Sequence, residues 1–500
     1  MKSWQLVIKS IAAIILMFLI SHQESFAQTY VDVAPGFSTL NDAIANNTDP
    51  NAVFRLQRGD NAIYLLNGTI SNTTPLVIIA ADGTGARPKL IPGIGSGGVS
   101  SIPFRAKGNL TLKGLYVTAK DEGGAYLSQI IRESADNVTL DFDDCFFENT
   151  SQSFIRTDNK MAKIYIRNST VRNCASDYAN GRGIDDRGVD MDTLVVENCT
   201  IYNLGSRFLR DGGGILNYAY INHNTFVNTG LQVMQFGESP KVVFINNLVY
   251  NCGFIGHGKT ATDGLLQLEP LTSTVYAGVT QSVEVNHNNF VLNPNYLKYY
   301  PDTVVAMPKY DAPMQAAVTS SGLDTTNISE LVAFSWGAPT VEDLITAYWN
   351  DPLLSSSTTA VGLRVSGTYD FSYSTKAASY TAASDGKPVG ALTWFDLSTG
   401  VNDHAKVPGD FSLYQNYPNP FNPTTNIKYE ISKESKVELT VFNSLGQMVK
   451  SLVNTMQPVG SYSISWDGTN QSGQRMSSGV YFYKLNTGDF ISVKKMIMLK

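Results

Sequence analysis

A short motif of two apolar residues followed by a polar one recurs in the middle of the chain. Its copies end at Arg132, Arg156, Arg210 and Gln235, and the segment Asp185–Arg187 takes the same place in an intervening copy. Arg207 lies three residues before Arg210. The planar fork of an arginine binds a carboxylate through two hydrogen bonds. Because equivalent positions stack when a chain repeats in space, we expect one column of side chains that could bind an acidic polymer.

Three carboxylates accompany these arginines, at Asp185, Asp186 and Asp211. Carboxylate oxygens are preferred ligands of Ca²⁺, so the three could hold a calcium ion beside the column. In the alternative interpretation, arginine and aspartate alternate down the stack and only neutralise each other. The sequence leaves both interpretations open.

The elements that position these residues belong to a repeat. Each copy alternates apolar and polar residues and closes on asparagine, as in Leu140–Asn149, Ile164–Asn173, Leu194–Asn203, Ala219–Asn228, Val242–Asn251 and Val283–Asn293. Successive closing asparagines are 24, 30, 25, 23 and 42 residues apart. Alternation with period two predicts strands with one buried face. Repeats of this length without a helical pattern predict a solenoid whose turns stack into one core, with the asparagines bonded in a ladder.

The four cysteines, Cys145, Cys174, Cys199 and Cys252, all fall within these repeats. They show no C-x-x-C pattern and no zinc-ligand spacing. We interpret them as small buried core residues and expect neither disulfides nor zinc. His223 and His287 occupy an asparagine position of the repeat, which favours a ladder role over a catalytic one.

With this repeat, the chain resembles the right-handed parallel β-helix of the pectin-lyase-like superfamily. The segment Arg58–Gly68 is similar to its first coil, and a short helix beginning at Thr39 would cap the open end of the core. The segment Ala382–Trp394 resembles the terminal coil of β-helix proteins of polysaccharide degradation. A further helix is expected near Val341–Trp349. The resemblance spans roughly residues 29–397 and implies architecture more firmly than activity.

The resemblance implies that a uronate-containing polysaccharide is cleaved by β-elimination. In that reaction a base removes the proton next to the carboxylate, whose developing charge must be neutralised. Arg210 and Arg187 are the candidates for this neutralisation, and Lys259 is a further catalytic candidate. The expected substrate-binding residues are Arg132, Arg156, Arg207 and Gln235. Calcium at the three aspartates is the expected cofactor, although its requirement stays open.

Two other functions compete with the lyase. A polygalacturonase-like hydrolase would use Asp185 and Asp186 with the sequence Gly256–Gly258, which contains His257. His257 is 71 residues from Asp186, nearly three turns away, whereas the carboxylates of a glycosidase lie within about 10 Å of each other. A non-catalytic glycan-binding or adhesin β-helix would explain the same column without any base.

The last ninety residues form a second predicted domain. Strands are expected at 426–431, 437–443, 462–466, 480–485 and 491–498, a pattern typical of a small immunoglobulin-like β-sandwich. The segments 415–424, 444–446, 466–468, 478–483 and 494–500 resemble the type A sorting domain of the type IX secretion system. The segment is also similar to the immunoglobulin-like domain of flagellar-hook scaffolding proteins. The first resemblance implies transport across the outer membrane, with release or attachment at the cell surface.

The N-terminus is typical of a secretory signal peptide. Lys2 and Lys9 precede an apolar run that ends at Ile20, and the small residues Ser25 and Ala27 offer a cleavage site before Gln28. The predicted organisation is therefore a signal peptide (1–27), a right-handed parallel β-helix (28–400), a linker (401–423) and a sorting β-sandwich (424–500), an all-β protein. Formal net charge of −6 argues against general nucleic-acid binding. We expect a monomer without a transmembrane span, and the type IX secretion machinery and an acidic polysaccharide as its partners.

Overall fold

The computed structural model describes residues 29–95, 98–175, 180–321, 326–336, 340–350, 363–365, 369–395, 397, 411–413, 416, 419, 421, 423–431, 435–457, 460–488 and 490–499. The predicted signal peptide and most of the predicted linker lie outside these residues. Contacts divide the chain into two compact units, residues 1–397 and 398–500. Among the described residues, no helix has the length and apolarity that a membrane span requires.

The first unit is a parallel β-solenoid in which each turn contributes to three sheets. Sheet A contains ten strands: Tyr30–Val33, Val53–Leu56, Leu76–Ala80, Leu110–Lys113, Thr139–Asp143, Ala162–Arg167, Met191–Glu197, Leu216–Asn222, Lys241–Ile245 and Ser282–Asn286. Sheet B contains Gly36–Phe37, Ile63–Leu66, Lys89–Pro92, Tyr116–Thr118, Phe146–Glu148, Thr170–Cys174, Thr200–Leu204, Thr225–Thr229, Leu248–Tyr250 and Asn289–Val291. Sheet C contains Ile70–Asn72, Phe104–Ala106, Gln129–Glu133, Ser153–Thr157, Arg182–Asp185, Leu209–Arg210, Met234–Glu238 and Leu266–Glu269.

The predicted repeat supplies sheets A and B, and the motif of candidate site residues lies in sheet C. Alternate residues of the sheet A strands point inward, and the inner residues of successive turns pack on one another. Phe244 of sheet A, for example, stacks on Phe226 and Phe290 of sheet B, with ring centroids 6.2 and 6.1 Å away respectively. The core is thus continuous along the solenoid axis.

Both ends of this core are covered by helices. Helix α1 (Thr39–Asn46) buries Leu40 at the first turn, and Ser38 rather than Thr39 is its N-cap. Helix α2 (Ala312–Ser321), which the sequence pattern did not indicate, places Met314 and Val318 against the last turns. Each helix removes an apolar solenoid end from water.

Asparagine ladders hold the corners of the turns. The predicted ladder is present where Asn173 donates to Asn149 Oδ1 and Asn228 donates to Asn203 Oδ1, both at 3.3 Å. A second ladder runs through Asn224, Asn247 and Asn288, which are fully buried, and ends at the half-buried Asn327. His223 and His287 take left-handed backbone conformations at the turn position that Asn198 and Asn246 occupy on other turns. Both histidines therefore stand at an asparagine position of the repeat, but the Nδ1 atom of His223 contacts the carbonyl of Gly390 at 3.2 Å and that of His287 contacts the adjacent Asn286 Oδ1 at 2.8 Å.

The described residues between Leu331 and Phe395 leave the repeat, and several of them pack on the outer face of sheet B. They contain helix α3 (Glu342–Asn350), the paired strands Phe334–Trp336 and Asp370–Tyr373, and the short helices Ala378–Tyr380 and Leu392–Trp394. Phe371 packs on Tyr202, and Trp394 Nε1 donates to Thr200 Oγ1 at 2.7 Å. Earlier excursions form the short helices Thr274–Tyr276 and Pro294–Tyr299 and a two-stranded antiparallel sheet of His257–Gly258 with Val304–Val305. The aromatic residues of the later segment thus cover part of sheet B.

The second unit consists of two antiparallel sheets. One contains Ser412–Leu413, Thr425–Ile431 and Gly460–Trp466, and the other Ser435–Asn443, Met448–Gln457, Gly479–Asn486 and Ile491–Met498. Trp466, Tyr429 and Tyr483 are buried in their common core. The sandwich and its five predicted strands are confirmed, and Met448–Gln457 is an additional edge strand that the prediction lacked.

Candidate functional site

Sheet C brings the predicted column together. Its strand register aligns Arg105, Arg132, Arg156, Asp185, Arg210, Gln235 and Gln267 on successive turns. Neighbouring strands of a sheet are about 4.8 Å apart, so each turn presents one polar side chain at that interval. Alternation along each strand places these side chains outside the core. The column is the candidate functional site.

The first part of the column is a pair of arginines that share one carboxylate. Arg132 and Arg156 each donate through Nε to Asp158, the latter at 2.8 Å. Partial burial raises the pKa of Asp158, but the two guanidiniums outweigh it and hold the pKa below its ordinary value. One carboxylate thus opposes two positive charges here.

The second part is a cluster of three arginines, Arg182, Arg207 and Arg210, which we call the arginine cluster. Arg182 and Arg210 donate to opposite oxygens of Asp185, at 2.8 and 2.9 Å. Arg207 donates to Gln235 Oε1 at 2.6 Å. Burial, reinforced by the charges of Arg182 and Arg210, lowers the pKa of Arg207 to about 10. Positive charge is therefore crowded into a poorly solvated part of the surface.

The sequence motif missed several members of the site. Arg105 follows the apolar residues Pro103 and Phe104, so the motif itself could have identified it. Arg182 lies three residues before Asp185, as Arg207 does before Arg210, and this spacing could have indicated it. Asp158 has no such signal, because it lies outside the motif and reaches the column through its contacts with Arg132 and Arg156. Gln267 extends the column by one turn beyond Gln235.

The carboxylates predicted to bind calcium do not form a metal site. Asp185 points out of the core and is held by two guanidiniums, whereas Asp186 and Asp211 point inward; all three are buried, with 4%, 1% and 3% of their surfaces exposed. Asp186 Oδ1 accepts from the amides of Gly188 and Gly212, and Asp211 Oδ1 from those of Gly213 and Gly214. Within the described parts of the chain, no three His, Cys, Asp or Glu side chains are grouped to hold a metal ion. These two aspartates bind loop backbone, and the residues do not fit a calcium site.

The predicted catalytic residues are dispersed. Arg210 lies in the middle of the column, and Arg187 is exposed on the loop that follows Asp186, with a left-handed φ of 59°. Lys259 is exposed and follows the short strand His257–Gly258. This strand pairs with Val304–Val305 and belongs to none of the three sheets. The register therefore places Arg210, but not Lys259, in the column.

The four cysteines are buried, unlinked thiols. Burial raises the pKa of Cys145, Cys174 and Cys199 to about 12 and that of Cys252 to about 11. Their positions confirm the interpretation as small core residues. As neutral thiols they have no nucleophilic role in the candidate site.

A family model matches part of the second unit. Residues 420–489 match the FlgD Ig-like domain. That match agrees with the two antiparallel sheets. No curated protein matches the chain.

Among solved structures, the chain is similar to PorZ, described as an essential bacterial surface component of the type IX secretion system of Porphyromonas gingivalis. Identity is 15%, the TM-score is 0.15, and the match covers 24% of this chain and 14% of PorZ. The chain thus spans about a seventh of that protein. A likeness of this extent carries no argument about function.

Proposed function

We propose that this is an exported protein whose solenoid binds an acidic polysaccharide along the sheet C column. The observation that carries the proposal is the excess of guanidinium groups over carboxylates. Among the described residues, Arg132 and Arg156 form ion pairs only with Asp158, and Arg182 and Arg210 only with Asp185. If arginine and aspartate served only to neutralise each other, they would be present in equal numbers.

The regular spacing of the column favours an extended ligand over a small one. Polar side chains recur on seven successive turns from Arg105 to Gln267. A chain of acidic sugars lying along the solenoid axis can contact several of them at once. Many weak contacts on one chain raise the overall affinity without any single strong site.

Cleavage by β-elimination is the finer form of this proposal. Arg210 would neutralise the substrate carboxylate, and the exposed Arg187 would act beside it. Arginine is a poor base because its pKa exceeds about 12. Lys259 follows a short strand that lies outside sheet C. Binding is therefore the primary proposal, and lyase activity an addition to it. A polygalacturonase-like hydrolase remains the other enzymatic candidate, which the separation of His257 from Asp186 disfavours.

The test is to incubate the protein comprising residues 28–500 with pectate, alginate and glycosaminoglycans, with and without Ca²⁺. Binding is measured by affinity electrophoresis, and cleavage by the ultraviolet absorbance of a C4–C5 double bond and by new reducing ends. Arg210→Gln is compared with Arg55→Gln, which changes an arginine of sheet A that pairs with Asp32. Retarded migration that only Arg210→Gln weakens supports the proposal.

The possible products separate the enzymatic candidates. A double bond that forms in the wild type and disappears in Arg210→Gln would establish a lyase. Reducing ends without a double bond would indicate a hydrolase. Absence of binding to every polymer would overturn the proposal for these substrates.

We infer that the second unit directs export as a type IX sorting domain. The FlgD Ig-like match supports an immunoglobulin-like domain, and the sorting role rests on the resemblance of segments such as 415–424 and 494–500. The test compares the full chain with residues 1–423 in a bacterium that has this secretion system. Periplasmic retention of the shortened chain alone supports the role, and equal export of both contradicts it.

A further inference from the structure

The arginine cluster differs from the rest of the column in its unused donors. The Nε atoms of Arg182 and Arg207 are buried and have no hydrogen-bond partner among the described residues. In contrast, the Nε atoms of Arg132 and Arg156 both bind Asp158. A buried N–H group without a partner carries a free-energy cost of about 1–3 kcal/mol, so each of these donors needs a partner, which an ordered water or a ligand can supply.

The charges around the cluster are also unbalanced. Among the described residues, Asp185 is the one carboxylate that forms ion pairs with it, through Arg182 and Arg210. Asp263 also attracts Arg207, but its Oδ1 accepts a hydrogen bond from Gln267 at 2.9 Å. In the part of the chain that the structure describes, three guanidiniums therefore face two carboxylates, only one of which forms ion pairs with them. An anion placed here relieves the mutual repulsion of Arg182, Arg207 and Arg210.

We propose that the arginine cluster binds a tetrahedral oxyanion ester, a sulfate or a phosphate, carried by the polysaccharide. A planar carboxylate has two oxygens, and two guanidiniums already occupy both of them in Asp185. A tetrahedral ester has three free oxygens and can accept hydrogen bonds from three guanidiniums at once. The cluster brings three guanidiniums from two adjacent turns together, as Arg182 and Arg210 on Asp185 show. That the anion is carried by a glycan rests on the proposed function. That the cluster binds the anion does not.

The experiment titrates the protein comprising residues 28–500 with sodium sulfate, phosphate and acetate at constant ionic strength, using calorimetry. We expect sulfate or phosphate to bind roughly tenfold more tightly than acetate, which corresponds to about 1.4 kcal/mol. Glucose 6-sulfate and glucose 6-phosphate then distinguish the two possible esters. Arg207→Gln should weaken the preferred anion by roughly tenfold or more. Arg207→Lys should weaken it less, because lysine keeps the charge but lacks the planar fork.

Arg55→Gln is the matched control, since it removes one guanidinium from a different sheet and should leave anion affinity unchanged. Thermal unfolding curves establish that each variant is folded. Equal affinity for acetate, or unchanged sulfate and phosphate affinity in Arg207→Gln, would overturn the inference. If acidic polysaccharides bind without any preference for the tetrahedral anions, the proposed function survives and this inference fails. If the anions bind and no polysaccharide does, the inference holds and the proposed function fails.

Discussion

Asp186 and Asp211 lie on adjacent turns at the same inward-facing position, immediately after Asp185 and Arg210. The amide of Gly212, the residue next to Asp211, donates to Asp186 Oδ1 at 2.7 Å. Burial, together with the charge of Asp211, raises the pKa of Asp186 above its ordinary value. Burial also raises the pKa of Asp211. The two carboxyl groups thus retain a proton at pH values where an exposed aspartate has lost it.

This pair should make the free energy of unfolding fall as pH rises. The unfolded chain releases both protons near the ordinary aspartate pKa of about 3.9, whereas the folded pair keeps one to higher pH. The stabilising proton is present in acid and is lost on titration upward, with a slope of at most about 1.4 kcal/mol per pH unit. Asp186→Asn keeps a hydrogen-bond donor toward Asp211 at every pH and should remove this dependence.

Urea unfolding of the wild type and Asp186→Asn at pH 5, 7 and 9 measures the effect. The stability of the variant relative to the wild type should increase with pH. Asp60→Asn, at an exposed position, serves as the control and should follow the wild type. A constant difference between Asp186→Asn and the wild type would contradict the shared proton.

The buried asparagine ladder should be essential for stability. Asn247 Oδ1 accepts from the backbone amide of Asn224 at 2.9 Å, and its Nδ2 donates to the carbonyl of Ile221 at 2.9 Å. Asn247→Ala leaves both groups buried without partners, and we expect a loss of about 3 kcal/mol. Denaturant unfolding measures this loss. The exposed Asn61→Ala should change stability by less than about 0.5 kcal/mol; similar effects of both substitutions would show that the ladder contributes little.

The cysteine thiols should resist alkylation in the folded protein. Burial keeps them neutral at pH 8, since their pKa values are raised to about 11 or about 12. Iodoacetamide should label none of the four in the native state within a time that labels all four in denaturant. Mass spectrometry counts the modified sites. Rapid labelling of any one thiol in the native state would reveal a local opening at that turn.

Polysaccharide binding should weaken with salt and with each lost guanidinium. Arg132→Gln combined with Arg156→Gln removes both guanidiniums that donate to Asp158. We expect a roughly tenfold lower affinity for the polysaccharide, which corresponds to about 1.4 kcal/mol. Because ionic contacts are screened by salt, the variant should also show a smaller salt dependence than the wild type. Affinity electrophoresis across a salt series measures both, with Arg55→Gln as the reference. Binding that is indifferent to salt would argue against an arginine column as the recognition surface.

The repeating pattern was enough to predict the solenoid, its strands and the column. Apolar residues at every second position must face the core, so the register of each turn is set by the pattern itself. Arg132, Arg156 and Arg210 therefore align as their shared motif predicts. The second unit followed similarly from its alternating strands and turn residues.

The sequence could not show which adjacent aspartate faces the ligand. Asp185 and Asp186 are chemically identical, but neighbouring residues of a strand point to opposite faces. Asp185 therefore meets Arg182 and Arg210 outside, while Asp186 binds loop amides inside. Of the three aspartates predicted to bind calcium, Asp185 is an ion-paired carboxylate, and Asp186 and Asp211 form a buried carboxyl pair.

Segments outside the repeat were decided by tertiary structure alone. Helix α2 covers the last turns, and residues around Phe371 and Trp394 cover sheet B, although neither follows the period. Asp158 joins the column through contacts to Arg132 and Arg156 that the repeat does not predict. Periodic residues owe their positions to a core pattern repeated every turn, which is readable in one dimension. The position of a non-periodic residue depends on where its loop folds back, and the loops differ in length. Only the tertiary structure specifies that position.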